Sequence, residues 1–218
     1  MPAAITIPIS TFELSITYQK PAIRLMADRV TVLEALFAAL EPWSPDVDEM
    51  EIITTGKPSE QGVKIRISTQ KASFFFSATV CKFIKESANW SDADEVQRLI
   101  EVAVTALAQA SGVVFGKQVT ILSLHLQLKS VSFKDILRGF MSPELLKLDP
   151  LAANAMATVL RWPKHRITLD GSAALANGIF VQMEREFDPK STFNDMKETI
   201  LNDEIDLLKL LGVEEAEE

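Results

Sequence analysis

The most regular alternation of hydrophobic and polar residues in this sequence runs from Val119 to Val131. Leucine occupies every second position of its central part, so that Leu122, Leu124, Leu126 and Leu128 alternate with Ser123, His125, Gln127 and Lys129. Because successive side chains of a strand point to opposite faces, the segment is predicted to be a strand with one apolar and one polar face. Such strands are typical of antiparallel sheets that are packed on one face only.

A second alternating segment lies at the N-terminus and changes parity along its length. Its apolar residues are first at odd and then at even positions, namely Ile5, Ile7 and Ile9, followed by Phe12, Leu14, Ile16 and Tyr18. This change predicts a long strand with a bulge or bend near Ser10 and Thr11. Pro8 lacks an amide hydrogen, so residues 5–9 are predicted to form a sheet edge or an arm. The arm can pair with a second subunit or fold back onto its own sheet, and we favour the second alternative.

Two amphipathic helices are predicted in the first 131 residues. The first has Thr31 and Glu34 at capping-box spacing, carries apolar residues at i, i+3, i+4 and i+7, and ends by Glu41. The second begins after Ser91 as N-cap and ends at Gly112. Its buried stripe is predicted to consist of Val96, Leu99, Ile100, Ala103 and Leu107. Three short strands are predicted between the helices, at 51–54, 63–68 and 74–80, which gives a β-α-β-β-β-α-β half.

The remaining residues predict a smaller α+β half. One or two short helices are expected in Phe133–Leu148, and an Ala-rich helix in Leu151–Leu160. Two Asx-Gly turns predict a meander of three pieces, Arg166–Leu169, Ser172–Ala176 and Ile179–Phe187. The middle piece is a poor strand former, and strand, helix and loop stay open for it. A terminal helix is predicted from Phe193 to Leu211, capped by Thr192 and stopped by Gly212.

The predicted fold is therefore α+β: an antiparallel sheet with amphipathic helices packed on one face. No Gly/Ser-rich or Pro-rich linker separates the halves, so a single composite domain, 1–218, is expected. Its subregions are 1–131 and 132–212, followed by an acidic tail at 213–218. Glu214, Glu215, Glu217 and Glu218 lie in this tail, which is expected to be a frayed terminus rather than an interaction element.

Composition and charge exclude more functions than they indicate. A content of 47% hydrophobic and 24% charged residues is ordinary for a globular protein with a core. The net charge of −8 argues against a general nucleic-acid binder, which needs a basic surface. No apolar run approaches the ~20 residues that span a bilayer, and no basic region precedes the first apolar residues. With a lone cysteine, Cys81, these features favour a cytoplasmic protein without membrane or secretory segments.

Familiar catalytic and cofactor motifs are missing from the sequence. Two histidines and one cysteine offer no zinc-site spacing, and no nucleophile elbow occurs. Gly112–Gly116 has neither the lysine nor the glycine spacing of a phosphate-binding loop. We therefore expect no metal, no cofactor and no recognisable small-molecule ligand.

One basic cluster contains Arg161, Trp162, Lys164, His165 and Arg166. An aromatic ring among cations can stack on a base, hold an anion or anchor a protein partner. The alternative is a polar connection between two elements, with the tryptophan side chain plugging the core. If the protein binds an anion, this cluster is the predicted contact.

A second candidate site is an enzyme centre assembled by the fold from scattered polar residues. His125, Glu184 and Arg166 are the candidates for it. Gln182, Glu184 and Glu186 also share one face of a predicted strand, where side chains two positions apart lie close together. The alternative is a solvated strand face with alternating charges.

Residues 5–211 resemble a sporadically distributed bacterial family of unknown function with two α+β halves. The resemblance lies in the strand LSLHLQLKS, the following SFKDILRGFMSPELL, and the later long strand and terminal helix. It differs at His125 and Gln127, where the central strand of the family has aromatic and arginine character. The resemblance implies a fold, and it implies no activity and no catalytic residues.

The leading functional hypothesis is a non-enzymatic interaction or assembly protein. Its polar sheet face, with His125, Gln127 and Lys129, is then a contact surface for a protein partner. The alternatives are an enzyme or nucleotide-handling protein, and a nucleic-acid accessory factor that uses the basic cluster. A homodimer is also expected, because the terminal helix adds a second apolar stripe made of Leu201, Ile205 and Leu208.

Overall fold

A computed structural model of the chain describes residues 2–57, 59–140 and 158–215. The predicted α+β fold is confirmed, with an antiparallel sheet and several helices. The helices are α1 (Ile23–Ala27), α2 (Arg29–Leu40), α3 (Ala93–Ser111), α4 (Phe133–Arg138) and α5 (Phe193–Leu211). The strands are β1 (Ala3–Tyr18), β2 (Met50–Ile53), β3 (Gly62–Ile67), β4 (Ala72–Ser77), β5 (Val80–Glu86), β6 (Phe115–Leu128), β7 (Thr158–Trp162), β8 (His165–Gly171), β9 (Gly178–Phe187) and β10 (Val213–Glu215).

The strands follow the hydrogen-bonded order β2-β3-β4-β5-β1-β6-β9-β8-β7, and β10 pairs with β1. The chain divides into two compact units. The central unit comprises described residues within Thr11–Thr120 and Glu186–Phe193. The terminal unit comprises those within Met1–Ser10, Ile121–Arg185 and Asn194–Glu218. The expectation of a single composite domain stays a prediction. Among the described helices, none is both long and apolar enough to cross a membrane.

The core of the central unit is built on the buried face of β3, β4 and β5. Phe74 stacks on Phe76 with ring centroids 5.6 Å apart and meets Phe83 across the strand pair at 4.9 Å. Helices α2 and α3 bury their apolar residues in the same unit, namely Val32, Leu36 and Leu40, and Leu99, Ile100, Ala103 and Leu107. Four of the five residues predicted for the buried stripe of α3 are therefore buried.

Strand β6, which contains the alternating leucines, has the predicted apolar and polar faces. All four of its leucines at even positions are buried, and the residues between them are half-buried. The strand begins at Phe115, four residues before the predicted start. In strand β1 the buried residues Ile5 in the first part and Leu14 and Ile16 in the second agree with the predicted change of parity, whereas Ile9 of the first part is 40% exposed.

The N-terminal arm folds back onto its own sheet, which was the favoured alternative. Ala3–Ile5 pairs in parallel with Val213–Glu215. The amide of Lys129 also donates to the carbonyl of Ala4 at 3.2 Å. The expectation that the acidic tail frays is therefore wrong for Val213–Glu215, because these residues form β10.

Several elements of the central unit differ from the sequence prediction: helix α1 was not predicted, and α3 has Asp92 as its N-cap in place of the predicted Ser91. Helix α2 begins at Arg29, and its N-cap is Asp28, whose side chain accepts from the amide of Thr31 at 3.3 Å. The predicted strand 74–80 is divided between β4 and β5 by a turn. The Ser77 hydroxyl oxygen accepts from the amides of Thr79 and Val80, each at 3.2 Å, and this local bonding reverses the chain.

The terminal unit contains further differences. The helix predicted at Leu151–Leu160 is wrong for its last three residues, because Thr158–Leu160 belong to strand β7, which pairs with β8. Residues 172–177 form a loop, which settles the middle piece of the predicted meander. The rest of the predicted helical segments Phe133–Leu148 and Leu151–Leu160, at 141–157, lies outside the described residues. Helix α5 has the predicted bounds, and Gly212 follows it with a φ of 66°. Its residues Leu201 and Ile205 are exposed, and the expected homodimer stays a prediction.

Candidate partner-binding site

The basic cluster of the sequence forms a β-hairpin, and residues Arg161–Arg166 are called the basic hairpin below. Pro163 and Lys164 make the two-residue turn between β7 and β8. Arg161 lies directly opposite Arg166, and Trp162 lies directly opposite His165. The fold therefore brings all the residues of this cluster together, on two faces of one hairpin.

The two arginines of the basic hairpin have different surroundings. Arg166 forms an ion pair with Glu184, its cross-strand neighbour on β9. Arg161 is exposed, and within the described part of the chain no hydrogen bond or ion pair involves its guanidinium. Like charges directly opposite each other on a strand pair are destabilising. Glu184 offsets this repulsion on one side, and Arg161 is available to an external anion on the other.

The opposite face of the hairpin rests on a buried polar cluster. The His165 side chain is 11% exposed, and its Nε2 is 3.8 Å from Oδ2 of Asp203 on α5. Asp203 also accepts from Nη2 of Arg185, the neighbour of His165 on β9, at 3.0 Å. Among the described residues, none forms a hydrogen bond with Nε2 of His165. The imidazole is thus held by packing between an arginine and a carboxylate rather than by a hydrogen bond at Nε2.

Trp162 covers this cluster. Its indole stacks on the His165 ring with centroids 5.2 Å apart and an interplanar angle of 24°. Half of the Trp162 residue surface, 50%, remains exposed. The predicted alternative, in which this side chain plugs the core, is therefore wrong, because the indole lies at the end of strand β7 with half of its residue surface exposed.

Acidification is expected to destabilise the protein through His165. Burial lowers the pKa of His165 below its ordinary value of 6.5; Asp203 opposes this shift and Arg185 adds to it. Between the folded and the unfolded pKa the unfolded state binds more protons, so the free energy of unfolding falls as the pH drops through about 6.5. Urea unfolding at pH 7.5 and pH 5.5 should show this loss, and it should be smaller in His165→Phe. An equal loss in both proteins would contradict the assignment to His165.

The polar face of β6 holds a loop of the same unit. His125 Nδ1 lies 2.8 Å from the hydroxyl of Ser172, and its ring packs on Phe180 with centroids 5.0 Å apart. The Gln127 side-chain amide donates to the carbonyl of Ala176 at 3.0 Å. Of the predicted sheet-face residues, His125 and Gln127 therefore fix the loop at 172–177. Lys129 lies just beyond the end of the strand and is exposed.

The residues proposed for an enzyme centre are not brought together. His125 packs at Phe180, whereas Glu184 lies four residues further along β9, or about 13 Å away at 3.3 Å per residue. Arg166 is paired with Glu184 and so lies at the distant end as well. Glu186, which lies on β9 with Glu184, pairs with Lys117 at 2.6 Å.

Other chemical candidates do not converge on a pocket. Cys81 is buried, and burial raises its pKa, which keeps the thiol protonated and unreactive. In the described ranges no group of three potential metal ligands occurs. A shallow groove of about 320 Å³ lies between α2 and α3, and its lining contains none of the predicted site residues.

Asp203 and Arg185 are the residues that the sequence did not single out. Asp203 lies on one flank of the apolar stripe of α5, where an acidic residue has no distinguishing pattern. Arg185 belongs to a strand of alternating charges. Only the tertiary structure brings Asp203 and Arg185 beside His165. His165 itself lies in the basic cluster, three positions after Trp162.

The sequence matches no protein-family model, and no curated protein matches it. The resemblance to a bacterial family of unknown function therefore stays a prediction.

Proposed function

We propose that this chain is a non-enzymatic binding protein and that the basic hairpin is its contact surface for a protein partner. The observation that carries the proposal is the position of Trp162, half-exposed and stacked on a ring that is itself buried. Tryptophan and arginine are the residues most enriched among those that dominate binding energy at protein interfaces. Here the exposed indole of Trp162 and the guanidinium of Arg161, which has no ion-pair partner among the described residues, belong to neighbouring residues of one strand.

The support beneath the indole favours binding over a passive surface role. A side chain that is already fixed in its bound position loses little conformational freedom on association. Trp162 is limited by the His165 ring below it, and His165 is limited by Asp203 and Arg185. The separation of His125 from the Arg166–Glu184 pair also favours a binding function over the enzyme alternative.

A nucleic-acid accessory factor is the second candidate, since Trp162 beside Arg161 could stack on an unpaired base. Two observations count against it. The Arg166 charge is already balanced by Glu184, which leaves few free cations at the hairpin. The net charge of −8 opposes the approach of a polyanion.

Co-purification with matched variants tests the proposal. The tagged wild-type protein is compared with Arg161→Ala/Trp162→Ala and with the control Lys64→Ala/Arg66→Ala, whose side chains are exposed on β3 of the central unit. We expect a specific partner to be retained by the wild type and by the control, and to be lost with the hairpin variant. If every partner is retained equally by all three proteins, the basic hairpin is not the contact surface.

A further inference from the structure

Strand β7 is the last strand in the sheet order, so within the described part of the chain no strand pairs with its outer edge. The turn at Pro163 and Lys164 determines which backbone groups lie on that edge. A β-turn is closed by a hydrogen bond between its first and last residues, which makes Trp162 and His165 a hydrogen-bonded pair. Backbone pairing alternates along an antiparallel ladder, so the pairs of Val159 and Arg161 are not hydrogen-bonded. The N–H and C=O groups of Val159 and Arg161 therefore point outwards.

The side chains of the same two residues point to the open face of β7. Val159 is 49% exposed, and Arg161 is exposed beside it. Trp162 lies on the opposite face at the end of the strand. A segment that pairs with this edge would therefore place every second side chain next to Arg161, and the side chains between them on the face of Trp162.

The charges on this face of the hairpin favour a segment of a particular composition. Arg161 and Arg166 lie opposite each other on this face, and the acidic cross-strand neighbour Glu184 pairs with Arg166. A carboxylate beside Arg161 would relieve the remaining repulsion, and an arginine–carboxylate pair is among the stronger hydrogen-bonded contacts in proteins. A basic or neutral segment could not form such an ion pair with Arg161.

A second copy of the chain fits the edge less well. Pairing of two β7 strands would place a second Arg161 and a second Arg166 on the same face, so four cations would share two glutamates. Charged residues on an edge strand are a common device against such self-pairing. The edge therefore favours a different, acidic partner.

We infer that the basic hairpin binds an extended acidic segment of a partner protein, which adds to the outer edge of β7 as a further strand. This inference rests on the proposed function. The segment would alternate acidic residues, which meet Arg161, with apolar residues on the face of Trp162. Recognition would come from main-chain hydrogen bonds to Val159 and Arg161 together with alternate side chains.

Binding of a labelled peptide of sequence EVEVEVE, measured by fluorescence anisotropy at low and moderate salt, tests the inference. The control peptide is QVQVQVQ. We expect the acidic peptide to bind the wild-type protein, and Arg161→Ala to weaken it about tenfold and to reduce its salt dependence. Val159→Pro removes one outward amide and should weaken binding about tenfold or more, whereas the matched Val159→Thr should bind as the wild type does.

A second measurement covers the case in which Val159→Pro does not fold. The acidic peptide with alternate backbone N-methyl groups cannot form the ladder and should bind the wild type at least tenfold more weakly. If the methylated peptide binds as well as the unmethylated one, or if folded Val159→Pro binds as well as the wild type, strand addition is overturned. Peptide binding that still depends on Arg161 would then support the hairpin as a contact surface.

Failure of EVEVEVE to bind overturns the acidic-segment inference, and the co-purification experiment then decides the proposed function separately. Arg161-dependent retention of an oligothymidylate without peptide binding would replace the protein partner by a nucleic acid, and dimerisation abolished by Val159→Pro would replace it by a second copy.

Discussion

Replacing Phe74 with alanine is expected to lower the free energy of unfolding by about 3–5 kcal/mol. Phe74 is fully buried and lies between Phe76 and Phe83, at ring distances of 5.6 and 4.9 Å. Its removal leaves a cavity that these two rings fill only in part, so lost burial and lost ring contacts add together. Urea unfolding followed by tryptophan fluorescence measures the loss.

The neighbouring residue is a matched control for this substitution. Phe75 has the same side chain and follows Phe74 directly, but it points to the other face of β4 and is only half-buried. It lies opposite Lys64 and Lys82 on the flanking strands. Phe75→Ala is expected to cost about 1 kcal/mol, the usual size of a change at a partly exposed site. Equal losses in the two variants would mean that the two faces of β4 are not packed differently.

The sequence predicted best those elements whose hydrophobic period is long and unbroken. The hydrophobic alternation of β6 is regular from Leu122 to Leu128, and α5 runs from Phe193 to Leu211 between Thr192 and Gly212, as its pattern indicates. Over such lengths, burial of one whole face outweighs the small propensity differences of single residues. The α+β fold followed from these segments.

The turn between β4 and β5 could not be recognised from hydrophobicity. The residues around it are as apolar as a continuous strand, and neither glycine nor proline separates them. The chain reverses because the Ser77 hydroxyl binds two amides beyond it. A serine with this role has no distinct sequence pattern, since the same residue occurs in many other local structures.

Strand β7 shows how a distant contact overrides local preference. Alanine-rich sequence before Thr158 favours a helix that continues towards Pro163. Pairing with β8 satisfies the backbone of Thr158–Trp162 in an extended form instead. The two-residue turn brings the strands together, but the stability of the pair depends on β9, which lies beyond a further loop.

The candidate site was predictable only as far as its residues are consecutive. Arg161 to Arg166 stand together in the sequence, and their cationic and aromatic character indicated a contact surface. Which residues of the hairpin share a face depends on the register of β7 and β8. Hydrophobicity does not determine that register in so short a segment. The acidic partner of His165 comes from α5, 38 positions later, and nothing in the local pattern points to it.

Asp203→Asn is expected to lower the free energy of unfolding by about 2 kcal/mol, because it leaves the partly buried Arg185 cation without its counter-ion, although burial also raises the pKa of Asp203 and so disfavours its ionised form. Arg185 is 28% exposed and Asp203 14% exposed, and Asp203 is also the nearest carboxylate to His165. Asp206→Asn is the matched control on the same helix. Asp206 is mostly exposed and pairs only with Lys209, so its loss should change stability by less than about 0.5 kcal/mol.

A double replacement separates the loss of an attraction from the burial of an unpaired charge. In Arg185→Met/Asp203→Leu both charges are gone and apolar side chains of similar length fill their places. If the cost of Asp203→Asn is mainly the uncompensated Arg185 cation, the double variant should be more stable than Asp203→Asn, measured by urea unfolding at pH 7.5. It should also keep Trp162 stacked on His165, because that contact does not involve either charge. A double variant whose loss equals the sum of the losses of its single variants would instead mean that Arg185 and Asp203 contribute independently, and that the cost of Asp203→Asn does not come from an uncompensated Arg185 cation.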